Sequence, residues 1–156
     1  MKKIAYPILI LSIMAAVFQS CESDDDNTTL PELNNEISID GTIYSIEGQA
    51  VLQSYGENTD GSFDRDIEIF ANDLFVEFDL NTPSEIGVPE GTYTYSETRE
   101  TLTFFSVTID NNADLFYSPQ LGTVIINMDG DTTNVTFNLT AQDGTAIRGQ
   151  WNGTLQ

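Results

Sequence analysis

Six carboxylates crowd one short stretch: Asp60, Asp64, Asp66 and Glu68 precede an Asn72-Asp73 pair, and Glu77 and Asp79 follow it. With Asn72-Asp73 as a two-residue turn, the flanking runs form an antiparallel hairpin. On one face Ala71 meets Leu74, Ile69 meets Val76 and Ile67 meets Phe78. On the other, Phe70 meets Phe75, Glu68 meets Glu77 and Asp66 meets Asp79. Like charges directly opposite one another cost about 0.2–1 kcal/mol per pair, so two such rungs need a compensating charge. A hard cation would supply it. Ca²⁺ takes about six to eight oxygen ligands, and Asp60, Asp64 and Asp66 could join Glu68, Glu77 and Asp79 around one ion. The spacing is not that of an EF-hand loop, and a solvated acidic face or another register is the alternative.

Paired carboxylates also suggest glycoside hydrolysis, which needs two of them about 5–10 Å apart. That chemistry requires a cleft and one carboxyl shielded enough to keep its proton. A hairpin face open to water offers neither, and the chain is read as a non-enzyme. The absence of histidine and the single cysteine exclude Ser-His-Asp triads, Cys-His nucleophiles and Cys/His zinc sites. No cofactor is expected apart from the Ca²⁺ that the acidic set admits.

Aromatic side chains are the other candidates for recognition. Phe70 and Phe75 share the outward face of the hairpin, and Trp151 offers an indole for stacking on a sugar. Trp151 also has Gly149 and Gly153 two residues to either side on the inward parity, which suits a core position. Phe104 and Phe105 are adjacent and must point to opposite faces of a strand. An exposed cluster of such rings would mark a ligand or partner surface.

The elements that position these residues are strands. From Ile37 onward the apolar period is two, in runs at Ile37–Ile46, Ala50–Tyr55, Ile67–Phe70, Leu74–Leu80, Thr92–Ser96, Leu102–Ile109, Thr123–Met128, Asn134–Ala141 and Ala146–Leu155, with glycines and prolines between them. Parity registers the last three runs. The Gln142-Asp143-Gly144 loop pairs Leu139 with Ile147, Phe137 with Gly149 and Val135 with Trp151, and the Gly130-Asp131 turn joins the preceding strand. The expected fold is an all-β, antiparallel β-sandwich of eight to ten strands with a C-terminal three-strand meander. A lipocalin-like up-and-down barrel is the alternative and would enclose a cavity.

The N-terminal part carries an address. Lys2 and Lys3 precede an apolar run, Ile4–Phe18, too short to stop in a membrane, and Gln19-Ser20-Cys21 follows. Cys21 as first mature residue resembles a bacterial lipoprotein signal, although Phe18 and Gln19 depart from the usual small or aliphatic residues. Glu22-Ser23-Asp24-Asp25-Asp26-Asn27 resembles the acidic export signal of surface lipoproteins in the Bacteroidetes. The resemblance implies a signal peptide over 1–20, a lipid anchor with palmitate on Cys21, an acidic tether over 21–36 and a domain over 37–156. It places the protein on the outer membrane, at the cell surface or on the periplasmic side. As a flexible coil the tether spans roughly 20 Å.

Without residues 1–20, three arginines (Arg65, Arg99, Arg148) oppose all 25 acidic residues, a net charge of −22. Such a field repels nucleic acid and favours a soluble monomer. Asp131-Thr132-Thr133 resembles the O-glycosylation sequence of Bacteroidetes envelope proteins, with Thr132 as acceptor. Ile39-Asp40-Gly41, Gly91-Thr92-Tyr93-Thr94-Tyr95 and Gly149-Gln150-Trp151-Asn152-Gly153 complete a likeness to the small surface lipoproteins of that phylum. It implies a β-sandwich on the cell surface and no known activity; the chain taken whole is read as a lipid-anchored module that binds a carbohydrate or a protein partner. A spacer without ligand is the alternative, or a carrier of an apolar ligand if the fold is a barrel.

Overall fold

The computed structural model describes residues 32–156; the leader, Cys21 and the tether as far as residue 31 lie outside them. Eleven strands follow: β1 Glu36–Ile39, β2 Thr42–Ser45, β3 Gly48–Glu57, β4 Phe63–Ala71, β5 Phe75–Thr82, β6 Gly91–Tyr95, β7 Thr103–Asp110, β8 Phe116–Tyr117, β9 Leu121–Asp129, β10 Thr132–Thr140 and β11 Ala146–Gly153. Alternation is why they extend. In β10 the side chains of Thr133, Val135, Phe137 and Leu139 are buried while Thr136 and Asn138 reach solvent, and in β11 Ile147, Gly149 and Trp151 turn inward.

The strands form one sheet in the order β2-β1-β11-β10-β9-β6-β7-β5-β4-β3, with β8 beside β7. Every pairing is antiparallel except β6–β7. The sheet curls over itself, so its two halves sandwich one core. The C-terminal residues that follow β11 reach β3: the Gln156 amide donates to the Ala50 carbonyl and the Leu52 amide to the Gln156 carbonyl, both at 3.0 Å. The interior that the barrel alternative left hollow is occupied by rings. Phe78 meets Phe137 edge-on at 5.1 Å, Tyr95 lies 5.8 Å from Phe104, and Tyr93 and Trp151 are buried among aliphatic side chains.

The C-terminal meander has the expected register, with Val135 opposite Trp151, Phe137 opposite Gly149 and Leu139 opposite Ile147. Gly144 sits at φ +90°, a conformation that disfavours a side chain, and closes the three-residue loop. Gly149 is required for another reason. A Cβ there would lie 2.2 Å from Phe137 Cζ, so the ring occupies the space of the missing side chain.

Three features differ from the sequence expectation. The two-residue β8 is too short to leave a periodic signal. Strands β3 and β4 run further into the glycine-rich segment between them than the apolar pattern does. Residues 32–36, read as the end of the tether, pack on the domain: Leu33 is buried, and Asn35 Oδ1 accepts from the Asn152 amide at 2.6 Å.

Candidate functional site

The β4–β5 hairpin has the register that parity requires, and its outer face pairs Phe70 with Phe75, Glu68 with Glu77 and Asp66 with Asp79. The neighbouring strands extend these rungs across the sheet. Gln53 stands opposite Asp66 on β3, and Ser106 opposite Asp79 on β7. A bulge interrupts each flanking strand at this level, between Ser54 and Gly56 on β3 and beside Phe105 on β7. A bulge re-aims the extra residue. Tyr55 and Phe105 consequently point outward at 63% and 42% exposure, one on either side of the carboxylates.

Asp64, Asp66 and Asp79 come together, each offering a carboxylate oxygen within 4.8 Å of the others. Arg99, on the loop before β7, lies across them. Its Nη1 and Nη2 donate to the two oxygens of Asp79 at 3.0 and 3.1 Å, Nη1 also reaches Asp64 at 3.0 Å, and its guanidinium stacks 4.7 Å from the centre of the Phe105 ring. Asp66 has no such partner. It is 8% exposed, and its Oδ1 is buried without a hydrogen bond among the described residues. Burial, then the charges of Asp79, Glu77, Asp64 and Glu68, push its carboxyl up to about 7. Burial likewise raises Asp79 against the opposing pull of Arg99, and raises Glu77 with help from Glu68.

The remaining acidic residues of the sequence-derived set are placed elsewhere. Asp60 folds back on its own turn, accepting from the Ser62 hydroxyl at 2.7 Å and the Ser62 amide at 3.1 Å, and these bonds hold it below the usual carboxylate range. Glu68 and Glu77 form the next rung toward the hairpin tip and add field rather than belonging to the triad.

The hairpin tip makes the second part of the site. Phe70 is 48% exposed, and its ring lies 5.3 Å from that of Phe75 at a 46° tilt. A cleft of about 610 Å³ opens beside them, bordered by Asn72, Asp73, Asp110 and Asn112. Asn111 holds the opposing loop: its Oδ1 accepts from the amides of Ala113, Asp114 and Leu115. Adjoining clefts bring Ile43 and Tyr44 of β2 and Phe116 and Tyr117 of β8 to the same end. Ile43, Phe70 and Phe116 are three of the eight large apolar side chains exposed among the described residues, while Tyr55 and Phe105 are exposed beside the carboxylates.

Glu36, at the start of β1, pairs with Gln150 of β11 and with Ser45 of β2, and Ser45 borders the cleft at Asn72, Asp73 and Leu74. Thr132 is exposed directly after the Gly130-Asp131 turn. Trp151, proposed above as a stacking platform, is 1% exposed and belongs to the core, because its parity matches Ile147 and Gly149. Cys21 lies outside the described residues.

Arg99 and Tyr55 were not foreseen as site residues, and of the adjacent Phe104 and Phe105 it is Phe105 that points outward. One signal pointed toward Arg99: in a chain with 25 acidic side chains and so few arginines, each arginine is drawn to carboxylates.

No family model matches the chain, and no solved structure matches it. Among curated proteins, a segment of 49 residues is 45% identical to neurofascin of Gallus gallus, covering 31% of this chain and 3% of neurofascin. The likeness spans a small part of either protein and assigns no family.

Proposed function

We propose that this is a lipid-anchored binding module of the outer membrane surface whose ligand is a carbohydrate, and that it carries out no catalysis. The observation behind this reading is the Phe70–Phe75 pair set in a cleft among Asn72, Asp73, Asp110 and Asn112. Sugars present apolar C–H faces rimmed by hydroxyls. An aromatic face beside side-chain amides and carboxylates complements both.

The acidic surface excludes nucleic acid and anionic polymers, so neutral glycans suit this cleft.

Affinity electrophoresis against a panel of neutral polysaccharides tests the proposal. Retardation of the wild type by at least one of them, abolished by the combined changes Phe70→Ala and Phe75→Ala, is the expected result. Retardation that survives both changes would place the ligand elsewhere.

A further inference from the structure

We infer that Asp64, Asp66 and Asp79 form a Ca²⁺ site, with Arg99 as the stand-in cation when the ion is absent. The three carboxylates each contribute an oxygen within 4.8 Å of the others, a separation at which all three can lie within about 2.8 Å of one centre, close to the Ca²⁺–oxygen range of about 2.3–2.6 Å. Proximity alone is common on an acidic surface. The distinguishing feature is Asp66, nine-tenths buried in the middle of the group, with one oxygen that no donor satisfies. A buried, unpaired carboxylate oxygen is costly, and a bound cation removes that cost.

The charge count points the same way. Three carboxylates share a single guanidinium, whose two terminal nitrogens are engaged with Asp79 and Asp64 and leave Asp66 uncompensated. Glu68 from β4 and Glu77 from β5 add negative field from the next rung, and Tyr55 on β3 brings a neutral hydroxyl whose ionisation those same carboxylates oppose. Gln53 and Ser106 stand opposite Asp66 and Asp79 on the same face and offer neutral oxygens. An all-oxygen donor set without histidine or thiolate selects a hard ion over zinc, copper or iron. Arg99 has somewhere to go, since its guanidinium already rests on the Phe105 ring.

This inference is independent of the glycan reading, and its test uses no glycan. The full chain, purified in detergent and stripped with chelator, is titrated with Tb³⁺ under tyrosine excitation and then with CaCl₂ as competitor. Sensitised Tb³⁺ emission, displaced by Ca²⁺ in the range of about 0.1–1 mM typical of extracellular sites, is expected. Asp66→Asn should abolish it. Arg99→Gln, which removes the competing charge while keeping the side chain's length and polarity, should bind Ca²⁺ at least tenfold more tightly. Absence of Ca²⁺ competition up to about 10 mM in both the wild type and folded Arg99→Gln would overturn the inference, as would Ca²⁺ binding that Asp66→Asn leaves intact.

Discussion

Asp66 and Asp79 face each other directly across the β4–β5 ladder, and only one of them has a counter-charge. Arg99 takes Asp79 with two bonds, at 3.0 and 3.1 Å, while Oδ1 of Asp66 is buried without any. Two carboxylates of the same rung therefore titrate in different surroundings. A proton or a cation must complete the group.

Protonation gives the first prediction. The folded state holds the Asp66 proton up to about pH 7, whereas the unfolded chain releases it near 3.8. Between those values the folded protein binds the extra proton, so the contribution of Asp66 to stability is fully present below pH 4 and is lost as pH rises through about 7. About three pH units correspond to roughly 4 kcal/mol before solvent screening, and about 2–4 kcal/mol is expected in metal-free buffer. Asp64 and Glu68 on β4, Glu77 and Asp79 on β5, Tyr55 on β3 and Arg99 all face the group. Asp66→Asn should flatten this slope and raise Tm at pH 8, read from urea and thermal melts across the range.

Arg99→Ala should lower stability by about 1–2 kcal/mol at pH 8, because charge-assisted bonds to Asp79 and Asp64 are lost in a partly solvated setting. The loss should shrink as pH is lowered, because burial raises the Asp79 carboxyl and its protonation weakens the pair. Ca²⁺ should restore Tm in this variant and leave a doubly changed Asp66→Asn/Arg99→Ala protein unaffected. Differential scanning calorimetry with and without the ion reads all three outcomes.

Gly149→Ala should cost about 2–3 kcal/mol, since a Cβ 2.2 Å from Phe137 Cζ forces that buried ring out of its contact with Phe78. Gly130→Ala carries only the strain of its positive φ, with nothing within 4 Å of the new methyl, and should cost less. Urea midpoints of the two variants give the comparison.

Trp151 is the sole tryptophan and is 1% exposed. Its emission should be blue-shifted, inaccessible to iodide, and unchanged by any saccharide that binds at Phe70 and Phe75. A red-shifted, quenchable spectrum in the folded protein would contradict the burial described here.

The hairpin and the meander were legible in the sequence because a period of two leaves only one register in which both apolar faces point inward. Phe70–Phe75, Asp66–Asp79 and Val135–Trp151 all follow from that parity. What parity cannot convey is contact through loops. Arg99 reaches Asp79 across 20 residues, and no local pattern links them. The bulges that aim Tyr55 and Phe105 outward each break the alternation by a single residue and leave no compositional mark. Asp60 looked like a ligand by its neighbourhood in sequence, but Ser62 two residues on offers it nearer hydrogen bonds. The aromatic rim exists only because the sheet's curl brings residues near 43, 70, 110 and 116 to one end.

The binding of a neutral saccharide at the hairpin tip is tested most directly by titrating purified protein and following backbone amide shifts. The account expects a glycan retained by the wild type to perturb Phe70, Asn72, Asp73, Phe75 and Asn112 while Trp151 stays still, and expects Phe70→Ala to weaken binding about tenfold or more, the share of about 1.4 kcal/mol or more that a stacked ring supplies. Perturbations confined to other faces of the sheet, or unaltered affinity in Phe70→Ala, would contradict it.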